Sequence, residues 1–214
     1  MLLKEILIPA LWDTIYMVAL STIFSSIIGF ILAILLVVTE KNGLKPNKFI
    51  FTMLDFSINV LRSFPFIILM IAIFPFTKLI VGKSIGTTAA IVPLTIGAAP
   101  FAARVIQSAL KEVDLGVIEA AKAFGANTYQ ILFKVMIKEA MPSIIMGITL
   151  TVINLIGYSA MAGAIGGGGL GDVAIKYGYY RFKTDIMIYT VLILIVLVQL
   201  LQSLGYLVYK HLCK

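Results

Sequence analysis

Residues Thr14–Val38, TIYMVALSTIFSSIIGFILAILLVV, pass through 25 positions without a single Asp, Glu, Lys or Arg. At a rise of about 1.5 Å per residue, a helix of that length exceeds the roughly 30 Å of hydrocarbon in a bilayer. Ser84–Ala103, Ala140–Gly171 and Ile186–Tyr209 are equally free of charge, whereas charged residues gather from Arg104 to Glu139. The chain is therefore expected to thread a membrane several times and to hold one substantial loop in water.

Composition agrees. The 214 residues are 61% hydrophobic and 13% charged, with a mean hydropathy of +1.07, whereas soluble domains are about half apolar and a quarter charged. The predicted fold class is all-α integral membrane, with one domain over residues 1–214. Five spans are predicted, at about 14–38, 56–77, 84–104, 143–165 and 186–208, with a cytoplasmic loop over 105–142. Lys4 ahead of an apolar run imitates a signal peptide, but the run is far longer than an h-region of about 7–15 residues and reads as a retained first span.

The net charge of +7 does not point to nucleic acid, because Lys and Arg sit at the ends of apolar runs, where they report orientation. Lys41, Lys45, Lys48, Arg104, Lys111, Lys122, Lys134, Lys138, Lys210 and Lys214 fall on one side; Lys4, Lys78, Lys83, Lys176, Arg181 and Lys183 fall on the other. Ten against six places the N-terminus outside and the 105–142 loop and C-terminus in the cytoplasm. Arg62 and Asp55, seven residues apart, read as anchors at the cytoplasmic end of the second span. Cys213, the one cysteine, has no partner within the chain.

Several local patterns carry less than they promise. Gly82-Lys83-Ser84 resembles the end of a phosphate-binding loop, but Thr77 stands where that motif needs Gly. Gly166, Gly168 and Gly171 have dinucleotide-fingerprint spacing without a strand before them, and read as the turn that ends a membrane helix. Ser21, Ser25, Gly29 and Ala33 put small side chains on one face of the first span, for packing inside the bundle ahead of a dimer interface. Pro65, Pro75, Pro93 and Pro100 are expected to kink spans two and three. No nucleophile, base or metal-ligand cluster can be assembled by spacing, so no catalytic residue, cofactor or metal is expected, and no visible inverted repeat suggests a secondary transporter.

The charged loop is the specific part. Asp114 is placed to cap a short helix through Glu119, Ala120, Ala121 and Phe124; Gly125 suits a left-handed closing residue. Asn127 with Gln130 has capping-box spacing for a second helix, so the pair is expected to lie on the membrane face. Taken alone, this could be an interfacial amphipathic hairpin. In span four, Thr151, Asn154, Tyr158 and Met161 form a polar-to-soft stripe that faces either a water-filled pathway or a neighbouring helix.

Glu119-Ala120-Ala121, three residues, then Gly125 resembles the cytoplasmic motif of binding-protein-dependent ABC importer permeases. Arg62-Ser63-Phe64-Pro65-Phe66, the run Ile85–Phe101, and Gly157–Gly163 with its trailing glycines are similar to the methionine-import permeases of that superfamily, over about residues 10–210. One position departs: Lys138 stands where the longer motif has Pro, and Pro142 is expected to end the second helix instead. The resemblance implies a homodimer with five spans per subunit in a bacterial inner membrane. It also implies two cytoplasmic ATPase subunits, which carry all the hydrolysis, and an external methionine-binding lipoprotein. Glu119, Ala120, Ala121, Phe124 and Gly125 would contact the ATPase. Permeation of another small solute, such as a polar amino acid or a quaternary amine, and an ATPase-free channel or interaction protein are the alternative readings.

Overall fold

The structure is a computed structural model that describes residues 2–213; Met1, Lys214 and the side chain of Lys4, which entered the domain limits and charge comparison, lie outside the described residues. The helices are α1 (Leu2–Thr39), α2 (Lys48–Ser63), α3 (Phe66–Ala72), α4 (Phe74–Val81), α5 (Thr87–Lys111) and α6 (Leu115–Ala123). They continue as α7 (Thr128–Gln130), α8 (Ile137–Ala164), α9 (Gly169–Val173) and α10 (Thr184–Leu212), with π-helical turns at Ile131–Met136 and Ala174–Tyr179.

Four stretches are long and apolar enough to cross a membrane as unbroken helices: Glu5–Thr39, Thr87–Lys111, Thr128–Ala164 and Thr184–Leu212. The second predicted span differs. It begins at Lys48 rather than near residue 56, and α2 and α3 meet at 103°. Proline supplies the reason. The residue before a proline is pushed out of the helical region, and Phe64, at φ −74° and ψ 130°, is extended ahead of Pro65. Pro75 has no N–H for the Ile71 carbonyl, and the last bond of α3 is from the Ile73 N–H to the Leu69 carbonyl at 3.1 Å, at the α3–α4 joint. Pro93 and Pro100 lie inside the unbroken α5. The prolines of span two thus break it, and those of span three are contained within one helix.

The bundle is organised around α1 and α5, the most extensive helix pairing. Ser21, Ser25 and Ala33 are fully buried, and a Cβ on Gly29 would stand 2.6 Å from the Ala102 side chain. The small stripe therefore serves close packing within the chain, and the Ser21 hydroxyl donates across it to the Ile91 carbonyl at 3.5 Å.

The two helices run parallel. At one end the Leu170 N–H donates to the Thr14 hydroxyl at 2.8 Å, close to Gly169, and Gly168 lies against Thr87. At the other end Lys111 pairs with Glu40 at 2.7 Å, and Ile118 and Met136 join Val37 and Leu110 in one apolar cluster. The segment α2–α4 carries the chain back between these ends, which accounts for the fifth crossing.

Little of the 105–142 segment is irregular. Helix α5 continues to Lys111, and the helix of the fourth span begins at Thr128, so only α6 and its flanks connect them. The second helix of the expected hairpin is continuous with the long helix of the fourth span, so the two do not form a separate hairpin. Pro142 sits inside α8 and ends nothing. Charge marks where the membrane stops, and a helix can run on past that point.

Candidate functional site

Helix α6 is short, and its ends are fixed by side chains. The Asp114 carboxylate accepts from the backbone N–H of Gly116 at 2.6 Å and of Val117 at 3.3 Å, meeting donors that the first turn leaves without partners. Gly125 closes the helix in the left-handed region at φ 78°. Beyond it the Asn127 side chain accepts from the Gln130 N–H while the Gln130 side chain accepts from the Asn127 N–H, both at 2.9 Å. This reciprocal box sets the direction of the long helix that follows.

One face of α6 belongs to the bundle. Ile118 is buried in the cluster of Leu110, Val113, Ile131 and Met136, and Ala121 packs against that cluster. Ala121 is partly buried, one side against that cluster. Glu119 and Ala120 are exposed, Val117 is half-exposed, and the Phe124 side chain is 92% accessible. A large aromatic is held out by a capped helix, with an exposed carboxylate five residues before it, so apolar and acidic groups share one projecting surface.

Within the span region, Asn154 and Tyr158 open onto a cavity of about 260 Å³ whose wall includes Arg62, Phe66, Gly97 and Phe101. The Tyr158 ring lies parallel to Phe66, with centroids 4.3 Å apart. Thr151 and Met161 do not line this cavity. Thr151 is fully buried, with its hydroxyl donating to the Gly147 carbonyl at 2.9 Å, and Met161 is half-exposed away from the cavity. At about 100° per residue, Asn154, Tyr158 and Met161 lie within about 60° of one another around the helix, so Met161 is set apart from the cavity by its position along the axis, about 10 Å beyond Asn154.

Arg62 and Asp55 also separate. Asp55 is engaged by Arg104 of α5, which further donates to Asn59 at 2.8 Å and Gln107 at 2.9 Å. Arg62 instead reaches the cavity beside Asn154 and Tyr158. The sequence reading missed it because its apparent closeness to the charged loop rested on a span starting near residue 56, while α2 starts at Lys48. The one signal available was an unpaired charge inside an apolar stretch.

The family model described as "Binding-protein-dependent transport system inner membrane component" matches residues 25–214. A "Probable D-methionine transport system permease protein MetI" of Vibrio cholerae is 52% identical over 202 residues, covering 94% of this chain and 90% of that one. The "Methionine import system permease protein MetP" of Bacillus subtilis is 47% identical over 171 residues, covering 80% and 77%. An inward-facing structure of the MetNI methionine ABC transporter superposes with a TM-score of 0.96 at 42% identity, covering 98% of this chain and 97% of that one. An amino acid ABC transporter crystallised with histidines shares the fold, with a TM-score of 0.79 at 21% identity. With a family model matched across most of its length and relatives of high identity on both sides, this chain belongs to the inner-membrane components of binding-protein-dependent transport systems.

Proposed function

We propose that the chain is the permease subunit of an ATP-driven importer that moves methionine or a close analogue inward by alternating access. It works as a homodimer in a bacterial inner membrane, with two cytoplasmic ATPase subunits and an extracytoplasmic binding lipoprotein that delivers the solute. The observation that carries this reading is the likeness, over nearly its whole length, to the permease chain of an inward-facing methionine ABC transporter. Hydrolysis resides on the ATPase subunits, and this chain contributes two conformations and a path.

In this reading residues 1–214 form one permease domain and α6 is the coupling helix. Glu119, Ala120 and Phe124 meet the ATPase. Ala121 ties α6 to its own bundle, and Gly125 fixes the turn that presents Phe124. Because Ile118 and Met136 share one apolar cluster, displacement of α6 is passed into the long helix of the fourth span. Asn154 and Tyr158 face the pathway, while Thr151 and Met161 support and flank it. The test is uptake of radiolabelled methionine by vesicles carrying the permease, its ATPase and the binding protein. ATP is expected to raise accumulation about tenfold or more; no ATP response, with no ATPase co-purifying, overturns the reading.

The basic excess at the end holding Glu40 and Lys111 supports an N-out orientation, with α6 in the cytoplasm. In a Cys213→Ser background, Lys122→Cys is expected to react only with reagents admitted to the cytoplasm, and Lys176→Cys from outside. Labelling of both from one side contradicts the five-crossing topology.

A further inference from the structure

Arg62 occupies the last turn of α2, about 21 Å along the helix from Lys48 at 1.5 Å per residue. Its cavity neighbour Asn154 is about 24 Å along the fourth span from Lys138, and Gly97, also in the cavity wall, sits near the middle of α5. In a hydrocarbon layer about 30 Å thick, distances of about 21 and 24 Å keep Arg62 and Asn154 inside the layer, towards the side opposite Lys48 and Lys138. An ionisable side chain at that depth is costly and is ordinarily kept for a pathway or a bound charge. The ion pairs among the described residues are Arg104–Asp55, Lys111–Glu40 and Lys176–Asp172, and Arg62 is in none of them. The carboxylate nearest in sequence is held by another arginine.

The surroundings specify what kind of anion fits. The cavity, about 260 Å³, is just below the range of about 300–1,000 Å³ that suits drug-sized ligands, the scale of a single small solute. The guanidinium offers a planar fork for a carboxylate. Asn154 offers an amide oxygen as acceptor for an ammonium group, and the parallel Phe66 and Tyr158 rings offer a flat apolar wall for a thioether.

Resting on the methionine-importer reading, we propose that this cavity is a solute site within the membrane in which Arg62 binds the carboxylate of the transported amino acid. Asn154 takes the ammonium and the Phe66–Tyr158 pair receives the side chain. Selection then acts twice, once at the external binding protein and once on the zwitterionic head group within the membrane.

The test uses the purified permease–ATPase complex without binding protein, in equilibrium dialysis with radiolabelled methionine and with methionine amide, which lacks the carboxylate. The wild-type complex is expected to retain methionine and to hold the amide about tenfold more weakly. Arg62→Gln should weaken methionine binding about tenfold or more without further weakening the amide, and Arg62→Lys should fall between. Retention of methionine by Arg62→Gln at the wild-type level overturns the proposal, as does equal loss for acid and amide. Should Arg62→Gln fail to assemble with the ATPase, Arg62→Lys and the acid-to-amide ratio of the wild type decide. Uptake measured with the binding protein present separates the two readings: ATP-driven uptake by a complex that retains no methionine overturns the site alone, whereas absent uptake overturns the importer.

Discussion

Replacing Phe124 with alanine, or Glu119 with lysine, is expected to lower ATP-driven methionine uptake by at least about tenfold while membrane levels stay normal. Phe124 is 92% exposed and Glu119 is exposed, in the one helix that projects between α5 and the fourth span. Surface substitutions that break no contact within a fold usually change stability by no more than about 0.5 kcal/mol. A buried aromatic anchor at an interface is commonly worth 2 kcal/mol or more, above the roughly 1.4 kcal/mol that corresponds to tenfold. The reversed charge at 119 replaces an acceptor with a donor and repels a basic partner. Gly125→Val should act by a different route. A Cβ there would meet nothing within 4 Å, so the cost is the left-handed backbone at φ 78°, roughly 1–2 kcal/mol, and the result is a displaced Phe124. Vesicle uptake, with the amount of co-purified ATPase measured for each variant, checks this. Normal uptake and normal assembly in both Glu119→Lys and Phe124→Ala would remove α6 from the coupling role.

Gly171→Val is expected to have the largest effect on folding. A Cβ at Gly171 would stand 2.5 Å from the Ala160 Cα and closer still to its carbonyl oxygen, and one at Gly163 would collide with the Asp172 backbone N. These are main-chain neighbours on facing helices, and no rotamer change relieves them. Relief requires separating α8 from α9, which would withdraw the fully buried Leu170 from the cluster it forms with Leu7, Ala10 and Ile186 and loosen its bond to Thr14. Overpacking ordinarily costs about 1–3 kcal/mol, and a clash with backbone on a buried seam should reach or pass the top of that range. Such a loss should lower the apparent Tm of the assembled complex by several degrees and cut its yield. Gly157→Ala is the contrasting variant, since its Cβ meets nothing within 4 Å and helix propensity favours alanine by about 0.8–1.0 kcal/mol. Equal thermal stability of the two would show that the α8–α9 seam is not tightly packed.

What the sequence disclosed was local. The Asp114 cap, the left-handed Gly125 and the Asn127–Gln130 box could be read because each depends on residues within four positions of one another. The apolar runs disclosed spans because hydrocarbon thickness sets their length. The 103° bend at Pro65 was not legible, since proline announces a break without giving its angle. The ends of α5 at Lys111 and of the long helix beginning at Thr128 were not legible, because polarity changes along these helices and backbone geometry does not. Arg62 was misread for the same reason, and its neighbours Tyr158 and Gly97 come from other spans that no local pattern connects to it. The partial burial of Ala121 depended on where Ile118 packs, which is likewise a long-range fact.

The pairing of α1 with α5 also sets a timetable. The last residue of α5 follows that of α1 by 72 positions, so at about 5–20 residues per second the ribosome makes α1 wait some 4–14 s for its partner. During that interval the face of Ser21, Ser25 and Gly29 looks onto lipid, with each hydroxyl able to bond only to its own helix. The small stripe is compatible with this delay. It exposes little polar surface while the first helix stands alone, and it lets a late-arriving backbone dock closely without either helix being rebuilt.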